Sequence, residues 1–255
     1  MPLSVASSAA VAWAAFLPLA LLVAPAAAHP PKYQPVGDGS GWTLVNNYGG
    51  RGIYDGWETH TLIGTNCTQT GSISVDSNND LELTTNGGST NCAEVTSPFT
   101  VNPTAAEDVF IEYKAQVPSG TWAALWSTGA PGPWPRTGEI DTAEVLTPST
   151  ECHSFHYQKS TGGEGTLGGL ADSRGCLHRF NKLWMTFGVQ WTTTSLTFFV
   201  DGLRFGQVLS GSAITSNPEE VIMDNLGAGW NPGGGSTMLI QYVRTWTKRR
   251  PPRRG

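Results

Sequence analysis

From Val109 to Val117 the chain reads Val-Phe-Ile-Glu-Tyr-Lys-Ala-Gln-Val, with an apolar residue at every second position. A period of two fits a strand with one buried face and cannot serve as the stripe of an amphipathic helix. The pattern recurs. Leu81-Glu-Leu-Thr84 is short. Trp184 to Trp191 and Leu196 to Val200 are longer, and Met238 to Trp246 comes last. Asp201-Gly202 separates Leu196–Val200 from Leu203–Val208 and predicts a two-residue hairpin turn. Beyond the first 28 residues no long segment has helical periodicity. With 31 Gly and 17 Pro punctuating short strands, the expected class is all-β: an antiparallel sandwich in one domain. Asn217-Pro218 and Gly233–Gly235 read as connections within that domain.

Against this background one strand is anomalous. Gly138-Glu139-Ile140-Asp141-Thr142-Ala143-Glu144 places three carboxylates in six positions of a chain only 14% charged. Alternation puts Glu139 and Asp141 on one face and Glu144 on the other. One bulged residue between them would return Glu144 to the same face. The result is an acidic row aimed into a cleft. Two carboxyls with a third beside them suit retaining glycoside hydrolysis, which needs a nucleophile and an acid/base about 5–5.5 Å apart. Five extended residues span about 17 Å, so the bulge must also bend the strand. Asp141, lying between, would raise one neighbour's pKa by like-charge repulsion, keeping Glu144 protonated while Glu139 stays ionised. The competing readings are a solvated acidic strand and a metal site.

Tryptophans favour the sugar chemistry. The chain has ten, and Trp134 sits on a Pro/Gly loop where a core role is hard to arrange. Trp126 lies just upstream, and Trp122 fits a cleft wall or the core equally well. His153 and His156 are three apart and point to opposite faces, so one should reach the cleft. No Gly-x-Ser-x-Gly elbow or phosphate-binding loop is present. A net charge of −5 argues against nucleic acid as a partner.

Residues 1–28 carry no charged side chain and end in Ala-Ala-Ala28, which predicts a signal peptide cleaved after Ala28 and a secreted protein with no remaining membrane segment. The even set of Cys67, Cys92, Cys152 and Cys176 then implies disulfides. Of the three connectivities open to four cysteines, the nearest-neighbour one is expected: Cys67–Cys92 and Cys152–Cys176. The wide spacing does not suit zinc. Asn66-Cys67-Thr68 is a glycosylation sequon. Lys248 to Gly255 is read as a basic, disordered tail, leaving residues 29–247 as the domain.

Taken together, these residues resemble glycoside hydrolase family 16, the laminarinase-like β-glucanases, best from about Val109 to Trp246. Glu139-Ile-Asp141-Thr-Ala-Glu144 is similar to the family's Glu-x-Asp-x-x-Glu signature, and Trp134-Pro-Arg-Thr-Gly-Glu139 to its lead-in. Phe155-His156-Tyr157 and the later strands to Arg244 resemble its following segments. The resemblance implies a β-jelly-roll sandwich with a concave substrate-binding sheet. It implies Glu139 as nucleophile, Glu144 as acid/base, Asp141 between them, Trp126 and Trp134 at sugar subsites, and His156 near the acid/base. It further implies a monomer acting on polysaccharide, through hydrolysis of β-1,3- or mixed β-1,3/1,4-glucan. Transglycosylation and non-catalytic glucan binding are the alternatives on the same scaffold. Three positions depart from the family pattern. Gln241 replaces an Asp that helps bind structural calcium, so no cofactor is expected. Met185 replaces a His, with consequences for packing rather than chemistry. The usual Arg is missing around Ala93–Ser97.

Overall fold

The computed structural model describes residues 41–53, 55–59, 68–69, 71–88, 91–129, 132–227 and 234–251. The proposed signal peptide, the sequon residues Asn66 and Cys67, and the last four residues lie outside them.

Sixteen strands follow in order: β1 (Thr43–Gly49), β2 (Thr68–Gln69), β3 (Ser72–Val75), β4 (Leu81–Thr85), β5 (Asn91–Val101), β6 (Glu107–Gln116), β7 (Trp122–Gly129), β8 (Glu139–Thr147), β9 (Thr150–Gln158), β10 (Glu164–Gly168), β11 (Cys176–Leu177), β12 (Trp184–Thr192), β13 (Ser195–Val200), β14 (Leu203–Ser210), β15 (Glu219–Leu226) and β16 (Ser236–Arg249). Among the described residues the only helical elements are three single 3₁₀ turns. The strands form two sheets. One runs β14-β13-β12-β6-β16-β4-β3, with β1 also on β16. The other runs β10-β9-β8-β7-β15-β5-β2, with β11 on β9. Among the described residues all pairings are antiparallel except the short β2–β5 contact. Consecutive strands pair within the meander β7-β8-β9-β10, so the acidic strand is flanked by its sequence neighbours on both sides.

The alternation read from sequence sorts residues as expected. Val109, Ile111, Tyr113 and Ala115 of β6 face Leu125 of β7 and Ile140 of β8 in the core between the sheets. The hairpin turn also forms, with φ of 48° at Asp201 and 75° at Gly202, the left-handed pair such a turn requires. Met185 is partly buried against the core, a packing role.

The tail begins later than the sequence suggests. Lys248 and Arg249 are still in β16, paired in register with Asp108 and Glu107. The Arg250 guanidinium contacts the Asp108 carboxylate at 2.5 Å. Backbone pairing with β6 keeps Lys248 and Arg249 in the ladder and Asp108 holds Arg250, so the disordered-tail reading fails for Lys248 to Arg250.

Candidate active site

The second sheet turns one face to the core and the other to an open cleft. On β7, Trp122, Ala124 and Trp126 face the cleft while Ala123 and Leu125 face the core. On β8, Glu139 and Asp141 face the cleft, Ile140 the core. Then the ladder slips. Asp141 pairs with Trp126 but Ala143 with Leu125, so Thr142 is an extra residue. Across β9 the same shift appears, Asp141 opposite Ser154 and Glu144 opposite Cys152. This is the bulge that the face parity of the acids demanded, and it brings Glu144 into the cleft with Glu139 and Asp141.

Polar groups around the bulge are taken up by side chains from behind. The Thr142 carbonyl accepts from Nδ1 of His153, which is buried in the core and stacks on Phe198 at 5.1 Å between centroids. The Tyr113 hydroxyl donates to the Trp126 carbonyl at 3.2 Å. Ahead of the strand, Gly138 has φ 91°, and a Cβ there would meet Thr215 Oγ1 at 2.5 Å, so only glycine fits the turn that launches Glu139.

The cleft face of β9 supplies the partners. Ser154 donates its hydroxyl to Asp141. His156 reaches Asp141 Oδ2 with Nε2 at 3.1 Å, lies 4.0 Å from Glu139, and meets Glu164 of β10 through Nδ1. Of the two histidines, then, His156 faces the cleft. It sits opposite Glu139 in the ladder, and its charge also reaches Glu144.

Trp134 caps one side, 43% exposed, with its ring 6.2 Å from that of His156. Trp126 forms the floor. It is 8% exposed, packs with Ala124 and Ile222, and donates Nε1 to Asp224 at 3.0 Å. Trp122 is half-exposed and donates Nε1 to Glu144 at 2.8 Å.

Electrostatics follow from crowding acids into a partly dry site. Burial and the charge of Asp141 push Glu144 up to about 8, against the opposing pull of Trp122, so it is protonated at neutral pH. Burial and Asp141 also push Glu139 well above the carboxylate range, with Glu144 adding to the rise; His156 and Trp134 oppose it. The sequence expectation of a freely ionised Glu139 is therefore corrected: burial was missing from that argument. The charge of His156, 4.0 Å away, favours the ionised form of Glu139 against that rise. Burial alone would lower His156, but hydrogen bonding to Asp141 and the charges of Asp141, Glu139 and Glu164 outweigh it, lifting the imidazole to about 10.

The residues whose ligand atoms could meet at one metal ion are Glu139, Asp141 and His156, all within 4.8 Å of one another. Both nitrogens of His156 already face carboxylates, so the same residues also form an ion-pair network.

Several site residues were not anticipated. Asp224 lines the cleft and pairs in register with Glu94, fully buried on β5 within the segment lacking the expected Arg. Burial pushes Glu94 up to about 8, and burial together with Glu94 pushes Asp224 well above its usual range. A signal existed: an acid inside Val221-Ile-Met-Asp224-Asn-Leu226 is a charge in an otherwise apolar strand. Glu164 had no such signal, since it reaches the site only through pairing of β10 with β9.

Of the cysteines, Cys152 and Cys176 are bonded, joining register partners on β9 and β11. Cys92 is also in a disulfide; its expected partner Cys67 lies outside the described residues.

The sequence model of Glycosyl hydrolases family 16 matches residues 64–248, well over half the chain. A curated relative, the glucan endo-1,3-beta-glucosidase of Cryptopygus antarcticus, is 24% identical over 164 residues, covering 53% of this chain and 61% of that protein. The match thus spans less than two thirds of the relative's length. Among solved structures, the LamA protein of Zobellia galactanivorans in complex with laminaritriose and laminaritetraose superposes with a TM-score of 0.58 at 18% identity, covering 80% of this chain and 98% of that one. The endo-beta-1,3-glucanase of Pyrococcus furiosus gives 0.54 at 17% identity, covering 82% and 95%. These similarities in fold, with the bulged acidic strand and the extent of the family match, establish that the chain belongs to glycosyl hydrolase family 16.

Proposed function

We propose that this protein is a secreted, endo-acting β-glucanase that hydrolyses β-1,3-glucan with retention of configuration, Glu139 acting as nucleophile and Glu144 as acid/base. The bulge at Thr142 carries the reading, because without it Glu144 would face the core. In the first step a Glu139 oxygen attacks the anomeric carbon as the glycosidic bond breaks. The bond's electron pair leaves on the departing oxygen, which takes the proton of Glu144. In the second, Glu144, now a carboxylate, takes a proton from water whose oxygen displaces Glu139. Asp141, held by Ser154 and His156, fixes the charge between them. Trp134 offers an exposed indole face to a sugar ring.

The named activity of the Cryptopygus relative supports endo attack on β-1,3 linkages. The apolar leader and the Cys152–Cys176 disulfide support export. The chemistry calls for no cofactor. Gln241, exposed in a bulge of β16, offers a neutral amide oxygen in place of a carboxylate, which weakens a calcium site of the family type.

Incubating the protein with laminarin, lichenan, agarose and xyloglucan and sizing the products tests the reading. A ladder of short oligosaccharides from laminarin is expected, with lichenan reporting on mixed linkages. Products longer than the substrate would indicate transglycosylation, and binding without cleavage a glucan-binding protein.

A further inference from the structure

Trp122 opens β7 opposite Leu226 of β15, on the cleft face of the sheet. Its ring is 43% exposed and belongs to no core cluster, yet its Nε1 lies 2.8 Å from Glu144 Oε1. An indole nitrogen only donates. A protonated carboxyl has one carbonyl oxygen, the better acceptor, and one hydroxyl. A donor fixed at Oε1 therefore makes Oε1 the carbonyl oxygen and leaves the hydrogen to Oε2.

We propose that Trp122 is a positioning residue for Glu144, its indole N–H holding Oε1 so that the proton is delivered from, and returned to, Oε2. The inference rests on Glu144 being the acid/base. When Oε2 gives its proton to the departing oxygen, Glu144 becomes a carboxylate and the indole bond becomes charge-assisted, hence shorter and stronger. The donor therefore stabilises the ionised form as it develops. When water later yields its proton to Oε2 and its oxygen to the anomeric carbon, the bond relaxes to its neutral strength. The ring does not need to touch sugar for this role.

Other groups act on Glu144 from every side. Glu139 and Asp141 lie on its own strand, His156 on β9, Glu164 on β10 and Asp224 on β15, with Glu151 of β9 behind the ladder. Trp122→Phe alters none of them and removes only the N–H from this set.

The test compares the native protein with Trp122→Phe, and with Trp122→Leu as a second variant. The carboxyl of Glu144 is titrated by ¹³C NMR and assigned by its loss in Glu144→Gln. Its midpoint is expected to rise by about one pH unit in both variants, since the ionised form has lost its donor. On laminarin the alkaline limb of activity should move upward equally, and kcat on the plateau should fall roughly tenfold with KM nearly unchanged. An unmoved midpoint overturns the inference whatever the substrate. A moved midpoint in a protein that cleaves none of the four polysaccharides overturns the glucanase reading instead, and leaves the hold of Trp122 on Glu144 standing.

Discussion

His153, buried in the core, donates Nδ1 to the carbonyl of Thr142, the extra residue that turns Glu144 into the cleft. A core side chain thus reaches through the sheet to the backbone whose conformation sets the acid/base. His153→Phe keeps a ring against Phe198 and loses the donor. Loss of one buried hydrogen bond costs about 1–3 kcal/mol, since the carbonyl is left unpaired. Thermal unfolding should fall by roughly 2–8 °C. Because the bulge loosens, kcat on laminarin should fall at least tenfold while KM barely changes. A variant with lowered stability and unaltered kcat would show that the contact serves packing alone.

The two cleft tryptophans should separate cleanly. Trp134→Ala removes an exposed ring and is expected to raise KM severalfold with little change in unfolding temperature. Trp126→Ala empties a buried position and strips Asp224 of its donor, so a stability loss of about 3–5 kcal/mol is expected. Scanning calorimetry beside steady-state kinetics reads both. A large stability loss at Trp134 would move that residue from cleft to core.

Stability should fall as the solution becomes alkaline. The folded pKa of Glu94 is raised to about 8, so the folded state holds a proton that the unfolded chain releases near 4.5. Its contribution is complete below about 4.5 and is lost as pH rises to about 8. Glu144 acts in the same sense over the same window. His153 acts oppositely: burial depresses it to about 4, so its contribution is lost as pH falls from about 6.5 toward 4. Unfolding temperature should therefore peak on the acid side of neutrality. Glu94→Gln should flatten the decline between pH 4.5 and 8. An unchanged slope in that variant would contradict the assignment.

Cys152 lies opposite Glu144 in the ladder, and its disulfide to Cys176 closes a sequence separation of 24. In the chain-entropy model such a loop is worth about 3 kcal/mol. Replacing both cysteines by Ala should lower stability by about that amount, and lower activity as well, because the strand edge behind Glu144 loses its tether. Equilibrium unfolding in urea with parallel assays would show it. Full activity per folded molecule would mean that the ladder holds Glu144 unaided.

How much of this was legible depends on range. Alternation at Val109–Val117 fixed strand and face because both are properties of adjacent residues. The Asp201-Gly202 turn was legible because left-handed backbone selects those residues. The bulge could be inferred only as a demand, from the wish to place three acids on one face; no residue near Thr142 announces it. Insertion of β6 between β12 and β16 was not legible, since pairing across such distances depends on which sheet closes the core. The same limit hid Glu164, and it hid the Glu94–Asp224 neighbours, which meet only when β5 and β15 pair. Lys248 and Arg249 were misread because basic composition suggested solvent, while the strand they pair with, β6, is distant in sequence.

The central claim, that Glu139 attacks the sugar and forms a covalent ester, is tested most directly by trapping that ester. The native protein is incubated with a 2-deoxy-2-fluoro-β-laminaribioside bearing a dinitrophenyl leaving group, then digested and mapped by mass spectrometry. The account predicts one added fluoroglycosyl unit, on the peptide containing Glu139 and on that side chain. Inactivation with the label on Glu144 or Asp141, or turnover of β-1,3-glucan that yields the α-anomer first, would contradict it.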